Sequence, residues 1–216
     1  DTYGVVVLKN QNINDDEQIE FSNKFGILEK ALEHDTLKGI RKEITRISNV
    51  DKNNKVLPIS SEKVIYDRGN RSWHSDSSYK TIPSKYSILS AREIPNEGGG
   101  TEYIDARYAL EQWDKNESEY NINDLKEEIC EHSIVYSRMV NTGDIFEKSY
   151  KDKMPFVQQR LIRTHPYTKR SAFYAGSHCS HIVGWDLNVG RELIKEINEW
   201  IVNSGEIMHH KWCNNE

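Results

Sequence analysis

The sequence predicts an antiparallel β-barrel or sandwich with helices on its flanks, and three observations carry that expectation. Strand-like segments dominate the middle of the chain, helical signals occur as insertions or flanks, and strands and helices do not alternate as βαβα units would. No internal repeat, low-complexity tract or Pro/Gly-rich linker interrupts the chain, so it reads as one domain over residues 1–216.

Residues 3–8, rich in β-branched side chains, predict a first buried strand. Asn14 followed by Asp15, Asp16 and Glu17 opens a helix, and Gly26 closes it. Phe21 and Phe25 lie four apart and share one face. Residues 43–50, 84–92 and 101–104 alternate as strands. Asp105 caps a helix running to Trp113, and Asn123 with Asp124 caps another to about Glu131. Residues 164–175 read as two extended segments around His165 and Pro166. From Asn188 a helix carries Leu193, Ile197 and Ile201 along one stripe. Residues 207–212 form a last strand.

The 216 residues are enough for one sizeable core, and 36% hydrophobic with 29% charged residues fits a soluble globular protein. No stretch approaches the roughly 18 apolar residues of a membrane span, and the run from Val5 to Leu8 is too short for a signal peptide. A net charge of -5 without a Lys/Arg-rich block argues against a nucleic-acid surface. Cys130, Cys179 and Cys213 form neither a CxxC pair nor a disulfide framework, which predicts reduced cytoplasmic thiols.

The densest chemistry lies in residues 67–79. On an extended strand, residues two apart point to one side, so His74 and Asp76 converge while Trp73 and Ser75 face away. An imidazole and a carboxylate offered together suit a divalent ion such as Fe(II). The same tripeptide also fits a hydrogen-bonded His–Asp pair on a polar surface. A hydrolytic zinc site is the weaker metal alternative, because no HExxH-type spacing occurs.

WHSDSSY, KYSILSAR, GGGTEYIDARYAL and RTHP followed by AFY occur in this order. The chain thereby resembles the taurine/2,4-dichlorophenoxyacetate dioxygenase family, most closely its 2,4-dichlorophenoxyacetate branch, from YGVVVL through IVGW. The resemblance implies a mainly β double-stranded β-helix (a cupin-like jelly roll) with flanking helices, Fe(II), and 2-oxoglutarate as co-substrate. His74 and Asp76 match two iron ligands. Thr101, after Gly98, Gly99 and Gly100, matches the threonine that hydrogen-bonds 2-oxoglutarate; read alone, the glycines mark an ordinary loop before a strand. Asn70, Ser77 and Tyr79 match positions lining the substrate pocket, with core packing the alternative for Tyr79. His165 matches a histidine near the active site that does not bind metal, with a structural histidine beside Pro166 the alternative.

In the family, the third iron ligand is a histidine in a tryptophan-aspartate-asparagine-arginine segment, followed by arginines that bind 2-oxoglutarate. Nothing in this sequence matches that segment, which the alignment places just beyond residues 208–212. His178, His181, His209 and His210 are not assigned to it. The chain is therefore expected to lack residues at both ends, its C-terminal strands included. The resemblance further implies molecular oxygen and a small organic anion as substrates, hydroxylation that can cleave an aryloxyalkanoate, no nucleic-acid or membrane partner, and a homo-oligomer. A taurine-like sulfonate dioxygenase is the alternative, as is an inactive jelly-roll binding protein should the polypeptide end at Glu216.

Overall fold

The computed structural model describes residues 2–31, 41–51, 53–143 and 147–216. The chain forms two compact units. The smaller comprises Val5–Leu57, Ser84–Thr101 and His209–Glu216; the larger comprises Asp1–Gly4, Pro58–Pro83 and Glu102–Met208.

Helix α1 (Asp15–Asn23) belongs to the smaller unit. Asn14 accepts from the amides of Asp16 and Glu17, and Glu17 reaches back to the Asn14 amide, a reciprocal cap. The helix stops at Asn23 rather than at Gly26, which lies in the following turn at φ 136°. Phe21 and Phe25 still meet edge to face at 5.3 Å, and Tyr86 joins Phe25 at 5.4 Å. Residues 84–92 build no ladder strand. Ala91 pairs through its backbone with Asn215 and Glu216. Residues 43–50 likewise reduce to a bridge between Val50 and Val56. Residues 3–8 form no ladder strand, and the chain bends at Tyr3 and Gly4. Val5 and Val7 are half-buried, but Tyr3 and Val6 are 77% and 72% exposed.

The larger unit runs through α2 (Glu62–Asp67), β1 (Thr101–Tyr103), α3 (Ala106–Glu111), α4 (Ile122–Leu125), β2 (Ile129–His132), α5 (Ile134–Thr142), α6 (Lys148–Lys153), β3 (Val157–Arg160), β4 (Ile162–Thr164), β5 (Ser171–Phe173), β6 (Cys179–Ile182), α7 (Leu187–Ser204) and β7 (Met208–His210). The chain passes between the units within β1 and within β7. Short strands and helices are mixed, and strands do not dominate as the sequence led us to expect. β2 is the centre of an antiparallel sheet in the order β3-β2-β6, with Cys130 opposite both Gln159 and Ile182. The β4–β5 hairpin forms around His165 and Pro166 as expected, but its first strand starts at Ile162, ahead of the predicted residues 164–175.

The expected helix to Glu131 ends instead at Leu125. Residues 129–132 then alternate half-buried and buried, so the sheet satisfies their backbone better than another helical turn. The helix from residue 134 was not anticipated. Ser133 caps it by accepting from the Tyr136 amide.

Helix α7 supplies four of the fifteen residues of the buried core cluster. Asp186 caps it, and Leu193, Ile194, Ile197 and Ile201 pack on a cluster with Trp113, Leu125, Cys130, Leu161, Phe173 and Ile182. A Cβ at Gly190 would lie 3.1 Å from the Ile182 amide nitrogen, so this helix approaches β6 as closely as backbone allows. Cys130 and Cys179 are both free, buried and side by side, and the Cys179 thiol is pushed well above its ordinary value by that contact and by burial.

Ile197 is fully buried. Replacing it with Ala is expected to cost ~3 kcal/mol, seen as a lower urea midpoint at unchanged slope.

Candidate metal centre

His74 and Asp76 lie in the larger unit, between a short 3-10 turn at Arg68–Arg71 and a turn through residues 76–79. No ladder strand carries them, contrary to expectation, because Ser77 at φ 57° ends the extended stretch. The two side chains converge nevertheless, with His74 Nε2 3.3 Å from Asp76 Oδ1.

Three holds fix this segment. Gly176 sits beneath it at φ 104°, where a Cβ would meet His74 Cα at 3.1 Å; a side chain there would be strained and crowded. The next amide, Ser177 N, donates to Trp73 O at 2.8 Å. Asn198 on α7 accepts from the Gly176 amide at 2.7 Å and so ties the loop to the core. From the other side, Ser72 Oγ donates to Asn141 Oδ1 on α5.

His74 Nδ1 lies 2.7 Å from the Ser72 carbonyl. A carbonyl only accepts, so Nδ1 carries a proton; Nε2, beside the Asp76 carboxylate, offers a lone pair once it has given up its own proton. Hydrogen bonding to Asp76 holds the imidazole above its ordinary value, burial opposes this, and the Ser72 carbonyl assists. One nitrogen anchored to backbone and the other presented beside a carboxylate oxygen is the donor arrangement an Fe(II) site requires. His74 and Asp76 therefore fit two ligands of such an ion. Among the described residues, no group of three His, Cys, Asp or Glu side chains is placed to hold one.

His178, 3% exposed, packs its ring edge to face against both His74 (5.6 Å) and Tyr79 (4.9 Å). Ser137 Oγ donates to Ile134 O and accepts from His178 Nδ1 at 2.8 Å. Burial first, then the charge His74 carries when protonated and the Arg138 guanidinium, push this imidazole down to about 3, so it stays neutral. His132 is fully buried, with neither ring nitrogen bonded. It stacks on Tyr174 at 5.5 Å, and the Arg163 guanidinium covers the same phenol at 4.5 Å. Burial, with Arg163 assisting, pushes His132 down to about 4.

Asn70 is exposed, and its Oδ1 accepts from Arg138 Nη2 at 2.7 Å. Ser77 is buried in the turn after Asp76, where Gln159 donates to the carbonyls of Ser78 and Lys80. Tyr79 lies against His178, as above. His165 sits at the β4–β5 turn, where its Nδ1 accepts from the Thr168 amide at 3.1 Å. Thr101 lies in the smaller unit after Gly98 and Gly99, both at φ 71°. Its hydroxyl accepts from Trp212 Nε1 at 2.9 Å and keeps its own hydrogen to donate. Sequence reasoning missed Arg138 and Gly176. Arg138 lies on the unanticipated α5, whereas Gly176, before a run of small polar residues, marks a close backbone approach.

The whole chain, residues 1–216, matches the family described as taurine catabolism dioxygenase TauD, TfdA family. It is 32% identical to the alpha-ketoglutarate-dependent 2,4-dichlorophenoxyacetate dioxygenase of Burkholderia sp. (strain RASC), over 98% of this chain and 71% of the relative. It is 26% identical to the (S)-phenoxypropionate/alpha-ketoglutarate-dioxygenase of Sphingobium herbicidovorans, again over 98% and 71%. The crystal structure of AAD-2 in complex with Mn(II) and N-oxalylglycine superposes with a TM-score of 0.82 at 32% identity, covering 96% of this chain and 71% of that one.

Two outcomes are expected. His74→Ala lowers Mn(II) affinity at least ~100-fold by calorimetry. For His132, the folded value of about 4 lies below the 6.5 of the free side chain. Its contribution is thus complete above pH 6.5 and is lost as pH falls through 4, ~3 kcal/mol in all. His132→Phe should flatten that part of a melting-temperature profile taken from pH 7 to pH 4.

Proposed function

The chain belongs to the taurine catabolism dioxygenase TauD, TfdA family, and from that premise we propose that it hydroxylates a small aryloxyalkanoate anion. It is a 2-oxoglutarate-dependent non-haem iron dioxygenase. The convergence of His74 Nε2 and Asp76 Oδ1 at 3.3 Å is the observation that carries the site assignment. The finer fold we infer is the double-stranded β-helix, supported by the likeness to AAD-2. We read the two units as parts of one dioxygenase domain, since the family match runs through both.

In this reading His74 and Asp76 hold Fe(II), and Thr101 donates its hydroxyl hydrogen to the far carboxylate of 2-oxoglutarate. When bound, the metal and 2-oxoglutarate supply oxygen activation coupled to decarboxylation, giving succinate, carbon dioxide and the oxidising equivalent that hydroxylates the substrate. The protein's share is placement. Asn70, Ser77 and Tyr79 border the substrate, and His165 approaches it from the β4–β5 turn. Arg138 and Arg163 are the cations whose fields reach the buried histidines, which favours an anion over a neutral or cationic substrate. With an aryloxyacetate, a hydroxyl placed on the carbon beside the ether oxygen gives a hemiacetal. That product collapses to a phenol and glyoxylate, the hydroxyl proton passing to the phenolate. The names of the phenoxyacetate and phenoxypropionate relatives support this choice over a sulfonate. The free cysteines support a reducing compartment, the cytoplasm.

The test is oxygen-dependent formation of succinate and phenol from 2-oxoglutarate and 4-chlorophenoxyacetate with Fe(II). The expected result is stoichiometric release of both, abolished in His74→Ala. Stimulation by sulfonates but not by aryloxy acids would overturn the substrate assignment.

A further inference from the structure

Arg138, on α5, is 5% exposed, and no carboxylate pairs with it among the described residues. Its guanidinium lies 4.5 Å over the Tyr66 ring, and its Nε has no partner. Its one side-chain acceptor among the described residues is Asn70 Oδ1, at 2.7 Å from Nη2. The chain closes round the cation at Gly69, where a Cβ would stand 1.9 Å from Nη1 and 2.7 Å from Cδ. An arginine buried without an acidic partner is costly to keep, and packing alone would be served as well by an apolar side chain.

What the cation does to Asn70 follows from donor and acceptor counts. A guanidinium has five N–H donors and no acceptor. The Asn70 amide can therefore meet it only through Oδ1, which leaves Nδ2 of this exposed residue to donate elsewhere. With an uncharged partner the amide could turn over and present its oxygen instead.

We propose that Arg138 is a positioning residue: it locks the Asn70 amide so that a substrate meets N–H donors and no acceptor at position 70, which selects for an oxyanion. This rests on the reading of Asn70 as a substrate-pocket residue and of the substrate as an anion. Arg138 acts through Asn70 and touches no reacting atom. An acid is accepted because the N–H group donates to its carboxylate, and the ester or amide of the same acid is disfavoured.

The test uses the iron- and 2-oxoglutarate-loaded enzyme and three variants. In Arg138→Gln the new amide both donates and accepts, so Asn70 is free to turn. KM for 4-chlorophenoxyacetate is expected to rise about tenfold, with kcat and KM for 2-oxoglutarate within about twofold of wild type. Arg138→Lys keeps a donor-only partner and is expected to hold KM within about threefold. Asn70→Asp pairs with Arg138 but turns an acceptor outward. It should raise the melting temperature, lower it when combined with Arg138→Gln, and raise KM for the acid at least about thirtyfold.

Equal KM changes in Arg138→Gln and Arg138→Lys, or a loss in kcat and 2-oxoglutarate KM as large as that for the acid, would reduce Arg138 to packing and overturn the proposal. Additive melting temperatures at positions 70 and 138 would do the same. A wild type that no aryloxy acid stimulates would instead remove the substrate reading. The melting cycle, read without substrate, would still decide whether Arg138 holds Asn70.

Discussion

The hydrogen bond from His74 Nδ1 to the Ser72 carbonyl is the contact on which the donor pair depends. It fixes the orientation of the ring, so that Nε2 rather than Nδ1 faces Asp76, and it keeps the proton on Nδ1. A bond between residues two apart holds only if the backbone between them is held, and the surrounding chain supplies that. Ser177 bonds the carbonyl of Trp73, Gly176 closes on His74 Cα, and Asn141 takes the Ser72 hydroxyl. Each support leads back to a helix: Asn198 to α7 and Asn141 to α5. The fifteen-member buried cluster around α7 thus reaches the donor pair through two or three hydrogen bonds.

Charge of both signs surrounds the pair. Asp76 is the acidic partner of His74, while Arg138 and Arg163 send positive fields to the buried imidazoles. His132 and His178 are kept neutral, so they add aromatic surface and no charge. Had either been protonated, its repulsion would weaken the hold of a neighbouring cation. Burial, the larger cause for both rings, does this work without a dedicated hydrogen-bond partner for His132.

The parts of the chain that could be read in advance are those whose physics is local. The caps at Asn14, Asp105 and Asp186 lie where short polar side chains precede helical periodicity, although the sequence put the last start at Asn188. The stripe of Leu193, Ile197 and Ile201 repeats at helical spacing and is buried as read. The segments that failed depend on distant partners. Residues 129–132 continue a helical-looking run, yet β3 and β6 claim their backbone from about thirty and fifty residues further on. Residues 43–50 and 84–92 alternate well enough, but alternation alone does not make a strand, and among the described residues they form only the Val50–Val56 bridge and the pairing at Ala91. At the site, the spacing of His74 and Asp76 could be read and their support could not. Nothing near Arg138 in sequence announces that its guanidinium will sit under Asn70, sixty-eight residues away.

The bond between Trp212 Nε1 and Thr101 Oγ1 has a practical corollary. An indole whose N–H is engaged emits according to the polarity and hydrogen bonding of its partner. When that hydroxyl takes on a second, charged acceptor, the indole experiences a changed electric field through the shared oxygen. The smaller unit therefore carries an indole whose emission is tied to whatever second acceptor the Thr101 hydroxyl takes on.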